Sequence, residues 1–309
     1  MQVKFDSDMK IFAQIGDPLE HSCTSYIHNS MYALGNVNAV NFNVVVKRGE
    51  LPQFVEAAKV MHLSGFGITM PHKTDIIPLL DECDEFSRIF NSVNHVKIEN
   101  GRLIGKGMDG LGMRMAIEQA GVELKNTRVL ILGAGSVTGP IAAELCKKGA
   151  SSVTILNRTV DKAKFIADVL AENFPALKTA YGPMTEEEME RTAPEADLVV
   201  QCTSLGMDGS KHDFESLKFV SLLPKNAAVA DVIFLPRKTK LLMEAERLGH
   251  RVINGMGMLC NQQKAMMKFF LDVDLPDSFY DDAEEALMIA TAMREARHYR
   301  LERKNNKKE

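Results

Sequence analysis

The chain has 309 residues, 45% of them hydrophobic and 25% charged, and a formal net charge of −4. This is ordinary globular composition, which excludes a collagen-like, coiled-coil or wholly disordered chain, and the mild acidity argues against a general nucleic-acid binder. The length predicts about two domains. No stretch reaches the ~18 apolar residues of a membrane span, and the start MQVKFDSDMK lacks the basic-then-apolar pattern of a secretory signal. Five cysteines, at 23, 83, 146, 202 and 260, show no C-x-x-C spacing. Neither a disulfide framework nor a metal site is expected, and cytoplasmic residence is, with cysteine serving as a small hydrophobe.

Residues 10–15, 39–46 and 65–70 read as strands rich in β-branched and aromatic residues, and 51–62 as a helix with apolar residues at helical spacing. Residues 93–98 and 102–104 read as a hairpin, because Asn100-Gly101 is a strong turn signal. From about Thr127 strands and helices alternate strictly: strands at 128–132, 152–156, 198–201 and 227–231, helices at 135–148, 160–172 and 239–248. Strands without polar alternation are covered on both faces, which predicts a parallel sheet between helix layers, an α/β fold. A helix is expected from about Gly257 to Leu271. A last long helix opens at Pro276-Asp277, acidic at its start (Asp277, Asp281, Asp282) and basic at its end (Arg294, Arg297, Arg300, Arg303), as the helix dipole favours. The tail 304–309 reads as frayed.

Gly133-Ala134-Gly135-Ser136-Val137-Thr138-Gly139 follows a strand and opens a helix. There the first glycine allows a tight turn, the second lets backbone approach a pyrophosphate, and the helix start supplies N–H groups and partial positive charge. Gly133, Ala134, Gly135, Ser136 and Val137 are therefore expected to hold a dinucleotide. The next strand ends at Asn157-Arg158-Thr159, where an NAD enzyme carries Asp or Glu for the ribose hydroxyls. Arg158 attracts a 2′-phosphate instead, with Asn157, Thr159 and Lys162 adding donors. NADP is predicted as the cofactor, with NAD the alternative.

Ahead of this motif stand Gly16-Asp17-Pro18 with His21-Ser22-Cys23-Thr24, then Gly67-Ile68-Thr69-Met70-Pro71-His72-Lys73, Ser92-Val93-Asn94 and Gly105-Lys106-Gly107-Met108-Asp109-Gly110. After it come Thr203-Ser204-Leu205-Gly206-Met207, Asp231–Pro236, Gly255-Met256-Gly257-Met258-Leu259 and Gln262. In this order, over about residues 10 to 272, they resemble the shikimate/quinate dehydrogenase family. The resemblance implies two domains: residues 1–110, completed by C-terminal helices in 257–309, bind substrate, and 111–256 form a Rossmann-type NADP-binding domain, with the site in the cleft between them. It implies that Ser22 and Thr24 bind a substrate carboxylate, that Thr69, Asn94 and Gln262 contact substrate, that Lys73 and Asp109 are the catalytic pair, and that Thr203, Val232 and Gly255 join the cofactor set. Thr24 resembles members that also accept quinate.

The implied activity is NADP-dependent interconversion of shikimate with 3-dehydroshikimate, of quinate with 3-dehydroquinate, or both. The partner is a small hydroxylated ring carboxylate, with no nucleic acid or membrane, on a monomer or homodimer. Lysine suits the chemistry, since it can take or return the hydroxyl proton while hydride leaves carbon. Several positions depart from the family pattern. Gly67 stands where the family usually has Asn, Gly107-Met108 where it has Asn-Thr, His95 where it has Thr, and Phe234 where it has Tyr. Ser25 replaces Pro, and Gln201-Cys202 replace Asn-Ala. Each lost hydrogen bond predicts a loss of about 0.5–1.5 kcal/mol of substrate affinity, or a pocket for a different or larger ligand. A dehydrogenase for an amino analogue of the ring acid and a non-catalytic ligand sensor are the alternatives. His72 and His95 are expected near the site, either in a proton relay or, as loop histidines more often do, in structural hydrogen bonds.

Overall fold

The computed structural model describes residues 4–19, 22–276 and 278–305, with side chains described up to residue 296. His21, Asp277, the end of the tail and the side chains of Arg297, Arg300 and Arg303 lie outside the described residues. Contacts divide the chain into two units, one running to Met108 and including the residues from Gln263 onward, the other Asp109–Gln262.

In the first unit, β1 (Lys10–Gly16), α1 (Thr24–Leu34), β2 (Ala39–Val45), α2 (Leu51–Val60), β3 (Gly65–Ile68), β4 (Glu82–Cys83), α3 (Glu85–Ile89), β5 (His95–Glu99) and β6 (Arg102–Lys106) follow in chain order. The sheet order is β2-β1-β3-β5-β6-β4. β1 pairs in parallel with β2 and β3, while β5 and β6 run antiparallel to their neighbours within β3-β5-β6. The β5–β6 hairpin turns at Asn100 and Gly101, whose φ angles of 52° and 77° are the two left-handed positions a type I′ turn demands. The chain leaves β1 for β2 on one side and returns to β3 on the other. The carboxyl ends of β1 and β3 therefore form a topological switch point, where open α/β sheets bind ligands.

One face of this sheet packs Ala13, Ile15, Phe66, Ile68 and Val96 against Leu51, Val55 and Ala58 of α2. The other face buries rings. Phe12 lies 4.9 Å from Phe270 and 5.4 Å from Tyr32, His95 lies 5.5 Å from Phe270, and His28 lies 5.8 Å from His95. Asn41 donates through Nδ2 to His28 Nδ1 at 3.1 Å. Burial keeps both imidazoles neutral: His95 is pushed down to about 3, with the Lys73 ammonium adding to the effect, and His28 lies well below the usual histidine range, with His95 adding.

The second unit contains α4 (Asp109–Gln119), β7 (Arg128–Leu132), α5 (Thr138–Lys147), β8 (Ser152–Asn157), α6 (Val160–Asn173), β9 (Lys178–Pro183), α7 (Glu186–Thr192), β10 (Leu198–Gln201), β11 (Ala228–Asp231), α8 (Lys240–Arg247) and β12 (Arg251–Ile253). Its sheet is parallel throughout, in the order β12-β11-β10-β7-β8-β9. Numbered within the unit, this is the doubly wound 3-2-1-4-5-6 arrangement, whose switch point lies between β7 and β10. Leu130, Leu132, Val199 and Val229 pack there against Phe219, Leu241 and Leu242. Two helices close the chain, α9 (Gly255–Leu271) and α10 (Phe279–Asn305), and α10 packs on α1. Among the described residues no helix is long and apolar enough to cross a membrane.

The expected helix at 135–148 begins at Thr138, because Thr138 N–H and Oγ1 bond back to Gly135 O and Gly133 O and leave the glycine segment as a loop. The expected strand at 93–98 begins at His95, since Val93 N–H is turned to Lys73 O.

The neutral histidines fix a pH dependence. Each has a folded pKa below its unfolded value near 6.5. The stability they contribute is therefore complete above that pH and lost as pH falls from about 6.5 toward about 3 for His95. For His95 the loss should be roughly 2 kcal/mol between pH 7 and 5, with His28 adding a loss of the same sign. Thermal melts across that range should show the loss, and His28→Gln should make the slope shallower. A flat melting temperature in both proteins would mean the rings are protonated in the fold.

Candidate active site

The nucleotide loop is built at the β7/β10 switch point. Gly133 has φ +107°, and a Cβ there would lie 2.6 Å from Thr203 Cγ2 and 3.0 Å from the Cys202 carbonyl carbon. Only glycine allows that turn and that approach. Thr203 is itself fixed by Gln201, whose Oε1 accepts from Thr203 N–H and whose Nε2 donates to Leu205 O at 3.1 Å. The loop leads into α5, whose first turn carries no acidic side chain, and Gly135 and Ser136 are exposed above it. Val137 caps the helix. This cradle fits a pyrophosphate: bare backbone, a helix N-terminus and no competing negative charge.

Asn157 has a different task from its neighbours. Its Oδ1 accepts from Ala134 N–H at 3.0 Å and its Nδ2 donates to Thr159 O at 2.8 Å. Its carboxamide thus ties the glycine loop to the turn after β8. Arg158, Thr159 and Lys162 stand exposed on that turn, and Arg158 has no ion pair among the described residues. An exposed guanidinium with no carboxylate partner, at the end of the second strand, suits a ribose phosphate. Gly255 completes this side, because a Cβ on it would overlap Val232 O, which brings Val232 and Gly255 together.

Thr69, Lys73 and Asn94 of the first unit are tied by backbone bonds at its own switch point, where Ile68 N–H also donates to Asn94 O at 2.8 Å. Thr69 N–H donates to Ile15 O at 2.9 Å, and Asp17 N–H to Met70 O at 3.0 Å. A Cβ on Gly16 would lie 2.5 Å from Thr69 Cγ2. Ser22 and Thr24 open α1, with Thr24 N–H on Ser22 Oγ at 3.4 Å, and its first turn has no acidic residue. Two hydroxyls at a helix start suit a carboxylate. Lys73 is half-buried, and its carbonyl accepts from Val93 N–H at 3.2 Å, which places it beside Asn94.

Asn94 is the centre of this group. It is 5% exposed, and its Oδ1 accepts from Met108 N–H at 2.9 Å and bonds His95 Nδ1 at 2.8 Å. A backbone N–H can only donate, so the Asn94 atom is the oxygen and His95 carries its proton on Nδ1. The Asn94 amide is thereby fixed in orientation, with its oxygen turned to Met108 and His95. Burial, with the Lys73 ammonium adding to it, holds His95 well below the usual histidine range, and its Nδ1–H orients Asn94. His72 donates through Nε2 to Val46 O at 2.7 Å and is fully buried, a structural bond. The fixed Met108 is followed in the chain by Asp109, buried at the start of α4. In the second unit, a Cβ on Gly112 would overlap Met258 O and lie 3.3 Å from Gln262 Cβ. Asp109 and Gln262 thus sit on neighbouring helices. Sequence reasoning identified His95 as a departure near the site, without its hold on Asn94, and missed Gln14, discussed below. The signal that could have found both roles is strand register, which pairs Gly67 with each of them.

The fold and the nucleotide loop define a dinucleotide-dependent oxidoreductase. The pattern described as "Shikimate dehydrogenase substrate binding domain" matches residues 14–96, and "Shikimate / quinate 5-dehydrogenase" matches residues 114–207. A relative from Alkaliphilus metalliredigens, "Shikimate dehydrogenase (NADP(+))", is 36% identical over 89% of this chain and 96% of its own. Shikimate 5-dehydrogenase from Thermus thermophilus, solved with NADP(H) and shikimate, superposes with TM-score 0.77 at 27% identity, over 91% of this chain and all of that one. The 5-ketofructose reductase of Gluconobacter sp. strain CHM43 superposes with TM-score 0.81 at 28% identity, over 92% of this chain and 99% of that one. The chain belongs to the shikimate dehydrogenase family of NAD(P)-dependent dehydrogenases.

Because Asn157 acts through the loop and Arg158 through charge, their variants should differ. Asn157→Leu should weaken NADP and NAD alike, by about tenfold for two lost hydrogen bonds. Calorimetric titration with each nucleotide checks this. A loss confined to NADP would show that Asn157 touches the phosphate itself.

Proposed function

We propose that the protein is an NADP-dependent shikimate dehydrogenase, interconverting shikimate and 3-dehydroshikimate. The observation that supports this reading is that Thr69, Asn94 and Lys73 are tied together by backbone bonds at the β1/β3 switch point, in a unit that also presents two hydroxyls, Ser22 and Thr24, at a helix start. A ring acid with several hydroxyls matches that set. The acid-free start of α1 favours a carboxylate over an uncharged keto sugar. Quinate is the second substrate to assay, on the strength of Thr24.

In this reading Ser22 and Thr24 hold the carboxylate, and Thr69, Asn94 and Gln262 hold ring oxygens. Lys73 Nζ takes the proton of the reacting hydroxyl, with Asp109 as its acid/base partner. Bound NADP+ would supply the hydride acceptor for the carbon that bears this hydroxyl, so that the alcohol becomes the ketone. Arg158 selects the phosphorylated nucleotide. The five cysteines are all thiols, four of them buried; this supports a reducing compartment, and the cytoplasm is the location proposed.

The reading is tested by absorbance at 340 nm with shikimate and NADP. Lys73→Met should lower kcat by about 10²–10⁴-fold while leaving the melting temperature within a few degrees, and an unchanged kcat would remove Lys73 from the chemistry. Arg158→Ala should raise KM for NADP by about ten- to a hundredfold and leave NAD nearly unaffected. Equal losses for both nucleotides would contradict the phosphate role.

A further inference from the structure

Gln14 lies in the middle of β1, the second strand of its sheet, where an aliphatic side chain would be the ordinary choice. It is 3% exposed. Among the described residues its carboxamide has no hydrogen-bond partner. Its amide is not among the buried polar atoms left without a partner, so it keeps access to solvent from an otherwise closed residue, and a ligand group can take the place of that water.

The register says where that partner would be. Gln14 pairs with Asn43 on one side and Gly67 on the other, Gly67 pairs with His95, and His95 pairs with Lys106. Residues in register share a face. One rung of the sheet therefore carries Asn43, Gln14, Gly67, His95 and Lys106. Gly67 is the one member without a side chain, and Gln14 fills its place. A Cβ on Gly67 would overlap Gln14 Oε1 and lie 3.1 Å from its Cδ and 3.7 Å from its Nε2. Two residues beyond this rung, at the carboxyl ends of the same strands, come Gly16 and Thr69 of the switch point. The neighbour on the rung, His95, holds Asn94.

We propose that Gln14 is a substrate-specificity residue, its carboxamide laid across Gly67 to bond a ring hydroxyl other than the one oxidised. This rests on the dehydrogenase reading above. Gln14 offers both a carbonyl oxygen and N–H donors, so it can read a ring hydroxyl that donates as well as one that accepts. Gly67 is the permissive half of the arrangement, since any side chain there evicts the Gln14 amide.

The test compares wild type, Gln14→Leu, Gly67→Asn and the double variant on shikimate, quinate and shikimate analogues each lacking one ring hydroxyl. Gln14→Leu should lower kcat/KM for shikimate about tenfold, chiefly through KM, with the NADP KM and melting temperature unchanged. For one deoxy analogue, wild type and Gln14→Leu should be equal, because the hydroxyl that Gln14 reads is gone. A merely structural role would lower every substrate by the same factor, and that result overturns the proposal, as does unchanged kcat/KM with shikimate. Gly67→Asn should be impaired by its clash, and adding Gln14→Leu should recover activity; a double variant no better than Gly67→Asn also counts against the proposal. Should wild type turn over neither acid, the dehydrogenase reading fails, and calorimetric binding of shikimate carries the same comparison. Binding weakened by Gln14→Leu then upholds the Gln14 assignment by itself, and absence of binding to wild type ends it.

Discussion

The oxygen of one carboxamide organises the substrate side of this protein. Asn94 Oδ1 receives Met108 N–H and His95 Nδ1–H together, and each bond has a consequence. The first pins the residue from which the chain passes directly to Asp109. The second fixes the orientation of the amide, with its oxygen held between strand and loop. Burial among Phe270, His28 and the sheet keeps His95 neutral, with its one ring proton on the nitrogen that faces Asn94.

The nucleotide side uses the same device. Asn157 links the glycine loop to the turn after β8, and Gln201 links Thr203 to Leu205 after β10. Both carboxamides satisfy backbone groups in loops where neither helix nor strand can. They fix the loop shape without carrying charge, and the charge is left to Arg158. Shape and charge are then separable functions of adjacent residues.

The parts of the fold that read clearly from sequence were those governed by local rules. Continuous apolar strands announced the parallel sheet, and Asn100-Gly101 announced the hairpin. The helices α1 and α4 went unread. In α1 the eye is drawn to polar loop residues, and in α4 Gly110 and Gly112 suggest a loop. Those glycines are there because Pro140 O and Met258 O come closer than any Cβ would permit. β9 also escaped, since as an edge strand it exposes most of its side chains.

The candidate site shows the same boundary. Its motifs were legible as an ordered set, but Gly67 read as a lost contact, because the residue that fills the gap lies 53 positions earlier in the chain. Only register joins Gln14 to Gly67 and His95 to both. The most direct test of the central claim is the tautomer of His95, read from ¹⁵N shifts in histidine-labelled protein between pH 5 and 8. The account predicts a neutral ring with Nδ1 protonated throughout that range. A ring protonated on Nε2 alone, or an imidazolium appearing near pH 6, would contradict it.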